Sequence, residues 1–241
     1  EKHGSMVPQA PELDATACLC LELGAGALRG CRWDPQQRKP AIVRLGAAGE
    51  EDLANCISFR ADVSSRVIRG WFGFEGDRRS PMPRGVACGA PDVERDFGAG
   101  ASVRMPTRLL GLAAPRSGGI QSDKHLVREE KATGVQLLAV EDFDDDLGGE
   151  SRILKAKIVG KSVKEDDGAP LELSPEQMTA LLLSHVAWKA ERDIGFSEHF
   201  NGDLAIAVPG WWGDARREAI IAAAAAARCK VLRLFPRSVC A

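Results

Sequence analysis

Apolar residues near the C-terminus form two short runs separated by one long helical stretch. The two runs cover residues 204–208 and 231–235, and each has the length of a buried strand. Between them, residues 215–228 contain six consecutive alanines, and alanine is the best helix former. A strand-helix-strand unit of this size predicts two parallel strands joined by a crossover. This pattern places the chain in the α/β class.

Near the N-terminus the apolar pattern predicts an antiparallel meander. Three short runs, at residues 17–23, 28–33 and 41–45, are separated by tight turns. The first turn carries Gly24-Ala-Gly26, a spacing found in dinucleotide-binding loops, but the residues after it are extended rather than helical. The turn is therefore either a plain hairpin turn or a set of backbone N–H groups that can face a phosphate.

The middle of the chain has a weaker pattern. We predict strands at residues 55–59, 66–69, 136–140 and 152–159. Residues 106–111 predict a helical turn. The acidic run at 141–146 lacks the glycine and the final glutamate of a calcium loop, so it predicts a solvated hairpin tip. Residues 70–119 are rich in glycine, proline and arginine and give no clear element outside that turn.

A long helix is predicted after residue 173. Ser174-Pro-Glu-Gln177 has the sequence of a capping box, in which the Ser and Gln side chains each bond the other residue's backbone N–H. Apolar residues then recur at helical spacing for about five turns, up to Gly195. His185 lies on this stripe, and without a second His or Cys one turn away it predicts a buried or rim histidine with a local partner.

Charge and composition exclude several classes of partner. The net charge is −2 and the pI is about 6.2, so no global basic field favours nucleic acid. A basic stretch is interleaved with acidic residues and predicts a solvated loop; its arginines are Arg66, Arg69, Arg78, Arg79 and Arg84. No apolar run reaches the roughly 20 residues of a membrane span, and no signal-peptide pattern opens the chain.

The seven cysteines are odd in number, scattered, and free of any C-x-x-C motif. Cys18 and Cys20 are two positions apart on a predicted strand, so they share a face. Two core thiols are the interpretation we favour over half of a metal site, because no second ligand pair is near. The pattern predicts no metal site and an intracellular, reducing compartment, either cytoplasm or an organelle interior.

The C-terminal part of the chain carries four motifs in close succession: the helix start at residues 173–183, Val208-Pro-Gly-Trp-Trp-Gly-Asp-Ala-Arg-Arg217, the alanine-rich helix, and Val231-Leu-Arg-Leu234. Together they resemble the ATPase domain of the heat-shock protein 70 family, especially its larger relatives of the heat-shock protein 110 type. Weaker similarities, in the family's order, occur at Leu21-Glu-Leu-Gly-Ala-Gly26, Ile57-Ser-Phe59 and Thr107-Arg-Leu-Leu-Gly111.

The resemblance implies the first lobe of an actin-like, ribonuclease-H-like ATPase fold, with a mixed sheet, crossover helices and an inserted α+β subdomain. The implied limits are a lead at 1–16, a core at 17–47 with 170–241, and an insert at 48–169. In this family the nucleotide lies between two lobes, and Ala241 falls roughly where the crossover to the second lobe would begin. The chain is then expected to be either a fragment or a half-domain with another role.

The resemblance also implies a degenerate phosphate loop. Its residues are Glu22, Gly24, Ala25 and Gly26. Glu22 stands where the family has an Asp that helps to hold metal and water, and Thr107 stands where it has the catalytic Lys. Arg237 occupies a position expected to be Glu, and Ala25 and Ala27 replace hydroxyl-bearing residues. Without a cation at 107, charge on a transferred phosphoryl group has no partner, so no catalytic residue is assigned. ATP or ADP with magnesium is expected only where a second lobe is present.

We therefore expect a heat-shock-ATPase-like lobe without turnover that acts as a structural or protein-binding element, within a larger assembly. Of Trp211 and Trp212, one is expected in the core and the other either in the core or in a partner-binding surface. The alternative is a fragment of a functional ATP-dependent chaperone or nucleotide-exchange co-chaperone. A small-molecule enzyme on an unrelated α/β sheet is not favoured, because no nucleophile, base or metal cluster converges.

Overall fold

The structure, a computed structural model, describes residues 18–34, 37–46, 49–60, 63, 65–73, 82–89, 101–144, 149–158, 171–192 and 202–239. The strands are β1 (Leu19–Leu23), β2 (Ala27–Asp34), β3 (Lys39–Val43), β4 (Asp52–Phe59), β5 (Val86–Gly89), β6 (Ala101–Arg104), β7 (Gln136–Asp144), β8 (Gly149–Ile158), β9 (Leu171–Leu173), β10 (Asp203–Val208) and β11 (Lys230–Pro236). The helices are α1 (Ser65–Gly73), α2 (Lys124–Thr133), α3 (Pro175–Arg192) and α4 (Asp214–Ala226), with short 3-10 helices at Pro106–Leu109, Ile120–Ser122 and Arg237–Val239.

The main sheet combines parallel and antiparallel strands. Its order is β11-β10-β1-β2-β4-β5, with β3 added on β2 and β6 added on β4. The pairs β1 with β10 and β10 with β11 are parallel, whereas the other pairs of this sheet are antiparallel. This mixed sheet confirms the predicted α/β class, and the predicted N-terminal meander is β1-β2-β3. The inserted α+β subdomain stays a prediction. The limits predicted for the core and the insert stay a prediction.

The C-terminal strand-helix-strand unit is β10-α4-β11, as predicted. Leu204, Ile206 and Val208 of β10 are fully buried. On α4, Ile220, Ala223 and Ala224 face the same buried cluster. Because alanine has almost no side chain, α4 can pack closely on its neighbours, and α3 is the helix that it contacts most. The alanine run is therefore both a helix signal and a packing surface.

A second sheet, β7-β8-β9, leads directly into α3. Its strands are antiparallel, and β7 with β8 forms a hairpin, so the strands predicted on both sides of the acidic run are confirmed. The acidic run itself extends β7 to Asp144, and residues 145–148 lie outside the described residues. At the start of α3, Ser174 N donates to Gln177 Oε1 (2.9 Å) and Gln177 N donates to Ser174 Oγ (3.1 Å). The predicted capping box is thus formed in full.

Alternation along the strands gives the main sheet two unlike faces. The covered face lies under α3 and α4 and consists of the buried side chains of Leu19, Leu21, Leu23, Leu204, Ile206 and Val208. The open face carries the intervening residues Cys20, Glu22, Arg29, Cys31, Ile42 and Phe235, which line a shallow concavity of about 520 Å³. Because successive side chains of a strand point to opposite sides, one strand such as β1 supplies both faces.

Two sequence predictions are wrong. Residues 66–69 belong to helix α1 rather than to a strand, because Ile68, Trp71 and Phe72 recur at helical spacing and pack on the core. The thiols of Cys18 and Cys20 share a face as predicted, but they are not core residues: Cys20 is exposed and Cys18 half-buried. The reason is that their side of β1 is the open face, which the described helices do not cover.

His185 is partly buried on α3, as predicted, and bonds the backbone of Leu45. Burial, assisted by the nearby Lys189 ammonium, lowers its pKa to about 4. On the basic stretch, Arg66, Arg69 and Arg84 are exposed, while Arg78 and Arg79 lie outside the described residues. In the part of the chain that the structure describes, no helix is long and apolar enough to cross a membrane.

Candidate functional site

The glycine turn between β1 and β2 is a tight hairpin connection. Gly24 N donates to the carbonyl oxygen of Ala27 (2.9 Å), which closes the turn. A Cβ atom at Gly24 would collide with that same oxygen, so the turn requires glycine there. The strand β2 follows immediately, antiparallel to β1. A dinucleotide-binding loop is excluded, because such a loop opens a helix.

Asn55 ties this turn to the 3-10 helix at Pro106–Leu109. Its side-chain Nδ2 donates to Gly24 O (3.2 Å), Ala25 O (3.3 Å) and Thr107 Oγ1 (2.6 Å). Its own backbone N–H donates to Gly26 O (2.9 Å). At 2% exposure, Asn55 is a buried polar hub that holds the glycine turn in place. Sequence reasoning missed it, although an amide inside an otherwise buried strand was the available signal.

Thr107 is positioned by the backbone on either side of it. Met105, the residue before this 3-10 helix, has a left-handed φ of 48°, and its N–H donates to Asn55 O (2.6 Å). Pro106 then starts the 3-10 helix, which buries Thr107 to 4% exposure. The Thr107 hydroxyl accepts the Asn55 amide and carries no charge. It therefore supplies a structural bond at the position where the family resemblance implies a cation.

Glu22 and Arg237 form an ion pair on the open face. Glu22 lies at the end of β1, and Arg237 follows β11 in the 3-10 helix Arg237–Val239. Because β1, β10 and β11 are parallel, the carboxyl ends of β1 and β11 lie at the same end of the sheet, which brings Glu22 and Arg237 together. Their side chains are 29% and 51% exposed, so the pair is partly solvated. The guanidinium of Arg237 thus contacts one carboxylate oxygen of Glu22.

A cleft of about 680 Å³ opens beside the glycine turn. Gly24, Ala25 and Thr107 are among the residues that line it; the others are Leu23, Arg108, Lys124, His125, Arg128, Glu129, Pro209, Trp211, Trp212 and Arg216. Four of these carry a permanent positive charge and one, Glu129, is a carboxylate. The cleft therefore attracts anions.

The charges inside the cleft are partly paired. Arg108 binds Glu129 with two bonds, from Nε and Nη2, each of 2.8 Å. Glu129 is 5% exposed, and its carboxylate raises the pKa of Arg108. Burial lowers the pKa of Arg216, an effect that Glu129 opposes and Arg108 reinforces. Glu129 therefore neutralises Arg108 first, which leaves the positive charge of Arg216 directed at the cleft.

Trp211 and Trp212 have opposite environments. Trp212 is 6% exposed and packs in the core, whereas Trp211 is 72% exposed. The guanidinium carbon of Arg216 lies 4.7 Å from the centre of the Trp211 ring, within the range of a cation–π contact. Trp212 is fixed through its backbone, because its carbonyl accepts from Arg217 Nε (3.1 Å). One tryptophan is thus the expected core residue, and the other lies at the mouth of the cleft.

Gly111 sets the distance between the 3-10 helix at Pro106–Leu109 and the start of α4. It has a left-handed φ of 63°, and a Cβ atom there would lie 2.7 Å from the backbone N and Cα of Arg216. Only glycine allows this approach. The segments that carry Thr107 and Arg216, two residues that line the cleft, are therefore in close backbone contact at Gly111.

The residues predicted from sequence do not form one site. Gly24, Ala25, Thr107, Trp211 and Trp212 meet in the cleft. Glu22 lies on the open face with Arg237 and is not among the residues that line the cleft. Gly26 accepts the Asn55 N–H at the back of the turn. The phosphate-type turn and the acidic group are thus on different surfaces of the described structure.

The mixed sheet, its crossover helix and the cleft beside a glycine turn define an α/β lobe that is consistent with an actin-like ATPase fold. The family model described as Hsp70 protein matches residues 114–238, slightly more than half of the chain. The chain therefore belongs to the Hsp70 family, and it is a relative of heat-shock-protein chaperones. A comparison with curated proteins gave no match. The matched segment includes Trp211, Trp212 and Arg237 and begins after Thr107.

Proposed function

We propose that this chain is an Hsp70-type ATPase lobe without turnover that acts as a structural or protein-binding element within a larger assembly. The observation that best supports a lobe without turnover is the ion pair between Glu22 and Arg237. A carboxylate that is already paired with a guanidinium is a weaker magnesium ligand, because the two cations compete for its negative charge. The residues of the site therefore do not fit magnesium-dependent hydrolysis.

The surroundings of Thr107 support the same conclusion. Stabilising the charge of a transferred phosphoryl group requires a cation or a preorganised donor directed at it. Thr107 supplies no cation, since its side chain is a neutral hydroxyl that is buried and accepts the Asn55 amide. Arg108, the next residue, is committed to Glu129 through two bonds. The cleft can attract an anion, but the groups around Thr107 are used for structure.

The protein-binding role is supported by Trp211. A large aromatic side chain that is 72% exposed, with an arginine stacked on it, has the composition of an interface hot spot. The stacking also fixes both side chains before a partner arrives, which reduces the entropy lost on binding. Trp212, buried beneath, anchors the segment that carries Trp211.

An ATPase assay on the purified chain tests the absence of turnover. We expect no hydrolysis above the protein-free rate for the chain, for Glu22→Gln, or for Asp52→Asn. Asp52 is a matched control, because its carboxylate lies on the same open face and is also paired with an arginine, Arg29, between β2 and β4. Hydrolysis that is lost in Glu22→Gln and retained in Asp52→Asn would overturn the proposal.

A peptide-display selection against the chain tests the binding role. Selected peptides should lose at least about tenfold in affinity for Trp211→Ala, in keeping with a hot spot worth more than about 1.4 kcal/mol. Trp33 is the matched control, since it is also largely exposed but lies on β2 away from the cleft. If Trp33→Ala weakens binding as much as Trp211→Ala, the peptides do not use the proposed surface.

A second candidate function is favoured by the cleft itself. Its excess of positive charge beside Gly24 and Ala25 suits a nucleotide's phosphates, which is what a fragment of a working ATP-dependent chaperone or nucleotide-exchange co-chaperone needs. Calorimetric titration with magnesium-ATP separates the two candidates. A Kd near micromolar, about −8 kcal/mol, that is weakened by Arg216→Ala favours the chaperone fragment. A Kd near millimolar, about −4 kcal/mol, or no binding favours the lobe without turnover.

A further inference from the structure

Three cysteine side chains meet on the open face of the main sheet. Cys20 in β1 lies directly opposite Cys31 in β2, in the antiparallel register. Cys18 is two positions before Cys20 and so points to the same side. The thiols of Cys18 and Cys31 both lie within hydrogen-bonding reach of the Cys20 sulfur. Cys20 is exposed, whereas the two flanking cysteines are half-buried.

The register allows a covalent bond between Cys20 and Cys31. Residues directly opposite each other in an antiparallel pair have Cα atoms roughly 4.5 to 5.5 Å apart. Disulfides form between Cα atoms roughly 4.4 to 6.8 Å apart. The two strands are already held together by backbone hydrogen bonds, so the bond would need only small side-chain movements.

The cluster makes its three sulfurs chemically unequal. The neighbouring thiols of Cys18 and Cys31 lower the pKa of Cys20 well below the ordinary thiol range, because hydrogen bonding from them would favour its thiolate. The pKa of Cys18 is raised, mainly by its bond to Cys20 and also by burial, by the Cys20 charge and by the nearby Asp203 carboxylate. Cys20 is therefore the thiolate of the group, and Cys18 stays a neutral thiol beside it.

The other described cysteines lack these features. Cys56 and Cys88 are buried, and burial raises the pKa of each thiol. Cys229 is also buried. Among the described residues, no group of three or more His, Cys, Asp or Glu side chains is arranged to hold a metal ion. The accessible thiolate of Cys20 is thus left with thiol chemistry.

We propose that Cys20 is a hydroperoxide-reactive thiol that forms a reversible disulfide with Cys31. The Cys20 thiolate attacks one oxygen of hydrogen peroxide; an S–O bond forms, the O–O bond breaks and hydroxide leaves. The Cys31 sulfur then attacks the Cys20 sulfenic sulfur; an S–S bond forms, the S–O bond breaks and the thiol proton leaves with the oxygen as water. The two cysteines together lose two electrons, and hydrogen peroxide gains these electrons and is reduced to water. A small dithiol reverses the reaction by exchange and is itself oxidised to a disulfide.

The disulfide would cross-link the two strands that carry the glycine turn. It would join β1 and β2 below Gly24 and next to Glu22, on the face where Arg237 also lies. In the reducing compartment that the cysteine pattern predicts, such a bond would be transient and would report oxidative conditions. The proposal does not depend on whether the lobe hydrolyses ATP or binds a protein.

Peroxide titration followed by peptide mass spectrometry tests the proposal. The full chain carrying Cys240→Ser, which removes the one thiol outside the described residues, is reduced, desalted and exposed to hydrogen peroxide. We expect a Cys20–Cys31 disulfide, two hydrogens lighter than the pair of free thiols, that a dithiol reverses. In Cys18→Ser/Cys31→Ser, Cys20 should instead be trapped by dimedone as its sulfenic acid. A bridge from Cys20 to Cys229, or no bridge at peroxide doses that leave Cys88 intact, would overturn the proposal.

The pH dependence of alkylation adds a test that needs no variant of the cluster. Between pH 7.5 and 6.0 an ordinary thiol loses about 30-fold in thiolate fraction, and its alkylation slows accordingly. Cys20 should slow by less than about threefold over the same range, because it stays ionised. If Cys20 slows like an ordinary thiol, it is not the activated sulfur and the proposal fails.

Discussion

The two faces of the main sheet come from the same strands, but they serve different purposes. On the covered face, leucine, isoleucine and valine side chains of β1 and β10 are buried under α3 and α4. On the open face, the alternating positions of β1 and β2 carry thiols, a glutamate and an arginine. The covered face holds the fold together with generic apolar contacts. The open face depends on which chemical groups stand opposite one another, so the two faces should respond to mutation very differently.

The largest difference is expected between two isoleucines. Ile206 on the covered face is fully buried, whereas Ile42 on the open face is 56% exposed. Ile206→Ala should lower the free energy of unfolding by about 3–4 kcal/mol, because it leaves a cavity in the core. Ile42→Ala should cost less than about 1 kcal/mol. Urea denaturation measures both, and similar losses would mean that the open face is also covered in solution.

Acid should weaken the covered face through His185 on α3. Its pKa is lowered to about 4 in the folded state, mainly by burial, so protons bind the unfolded chain more readily below about pH 6.5. The contribution of neutral His185 to the free energy of unfolding is fully present above pH 6.5 and is lost as the pH falls towards 4. At pH 5 the loss should be about 2 kcal/mol.

The matched variant for this effect is His185→Gln, which keeps a donor for the Leu45 backbone but cannot titrate. The stability difference between pH 7 and pH 5 should be smaller in this variant by about 2 kcal/mol. Equal pH dependence of the two proteins, measured by urea denaturation at each pH, would show that His185 is not buried in its neutral form.

A smaller effect is expected at the start of α3, which covers the sheet. Ser174→Ala removes one half of the capping box and should cost about 1 kcal/mol. Ser122→Ala, which removes a bond to Gly119 O at an exposed 3-10 helix, should cost less than about 0.5 kcal/mol. Thermal unfolding compares the two, and equal shifts would mean that α3 does not need its cap.

The smallest effect on stability belongs to the open face. Arg237→Ala breaks the pair with Glu22, but both side chains are partly solvated, so the loss should stay below about 1 kcal/mol. Added salt should reduce it further. A loss above about 2 kcal/mol, measured by urea denaturation, would mean that this pair is shielded from water and contributes to the fold.

What the sequence predicted depended on how local each signal was. The capping box at Ser174 and the strand-helix-strand unit at the C-terminus are local patterns, and both are present. Residues 66–69 are too few to distinguish a strand from a helix, because the helical spacing becomes visible only when Trp71 and Phe72 are included. The exposure of Cys20 depends on which side of the sheet the helices cover, which no single strand encodes.

The site was harder to predict than the fold. The residues around the glycine turn were found through the family resemblance, but Asn55 and the Arg108–Glu129 pair were not. The ion pair of Glu22 and Arg237 joins the two ends of the described chain through the parallel order of β1, β10 and β11. Such a contact becomes visible only when strand order and register are known.

Gly111 has a consequence for how wide the cleft can open. Because the backbone of Gly111 packs directly on the backbone of Arg216, the two segments can come this close only where position 111 has no side chain. Any side chain at position 111 would act as a wedge and push the tryptophan segment away from Thr107. Gly111 therefore sets the spacing between the two segments, and substitutions of increasing size at this position should widen the cleft step by step.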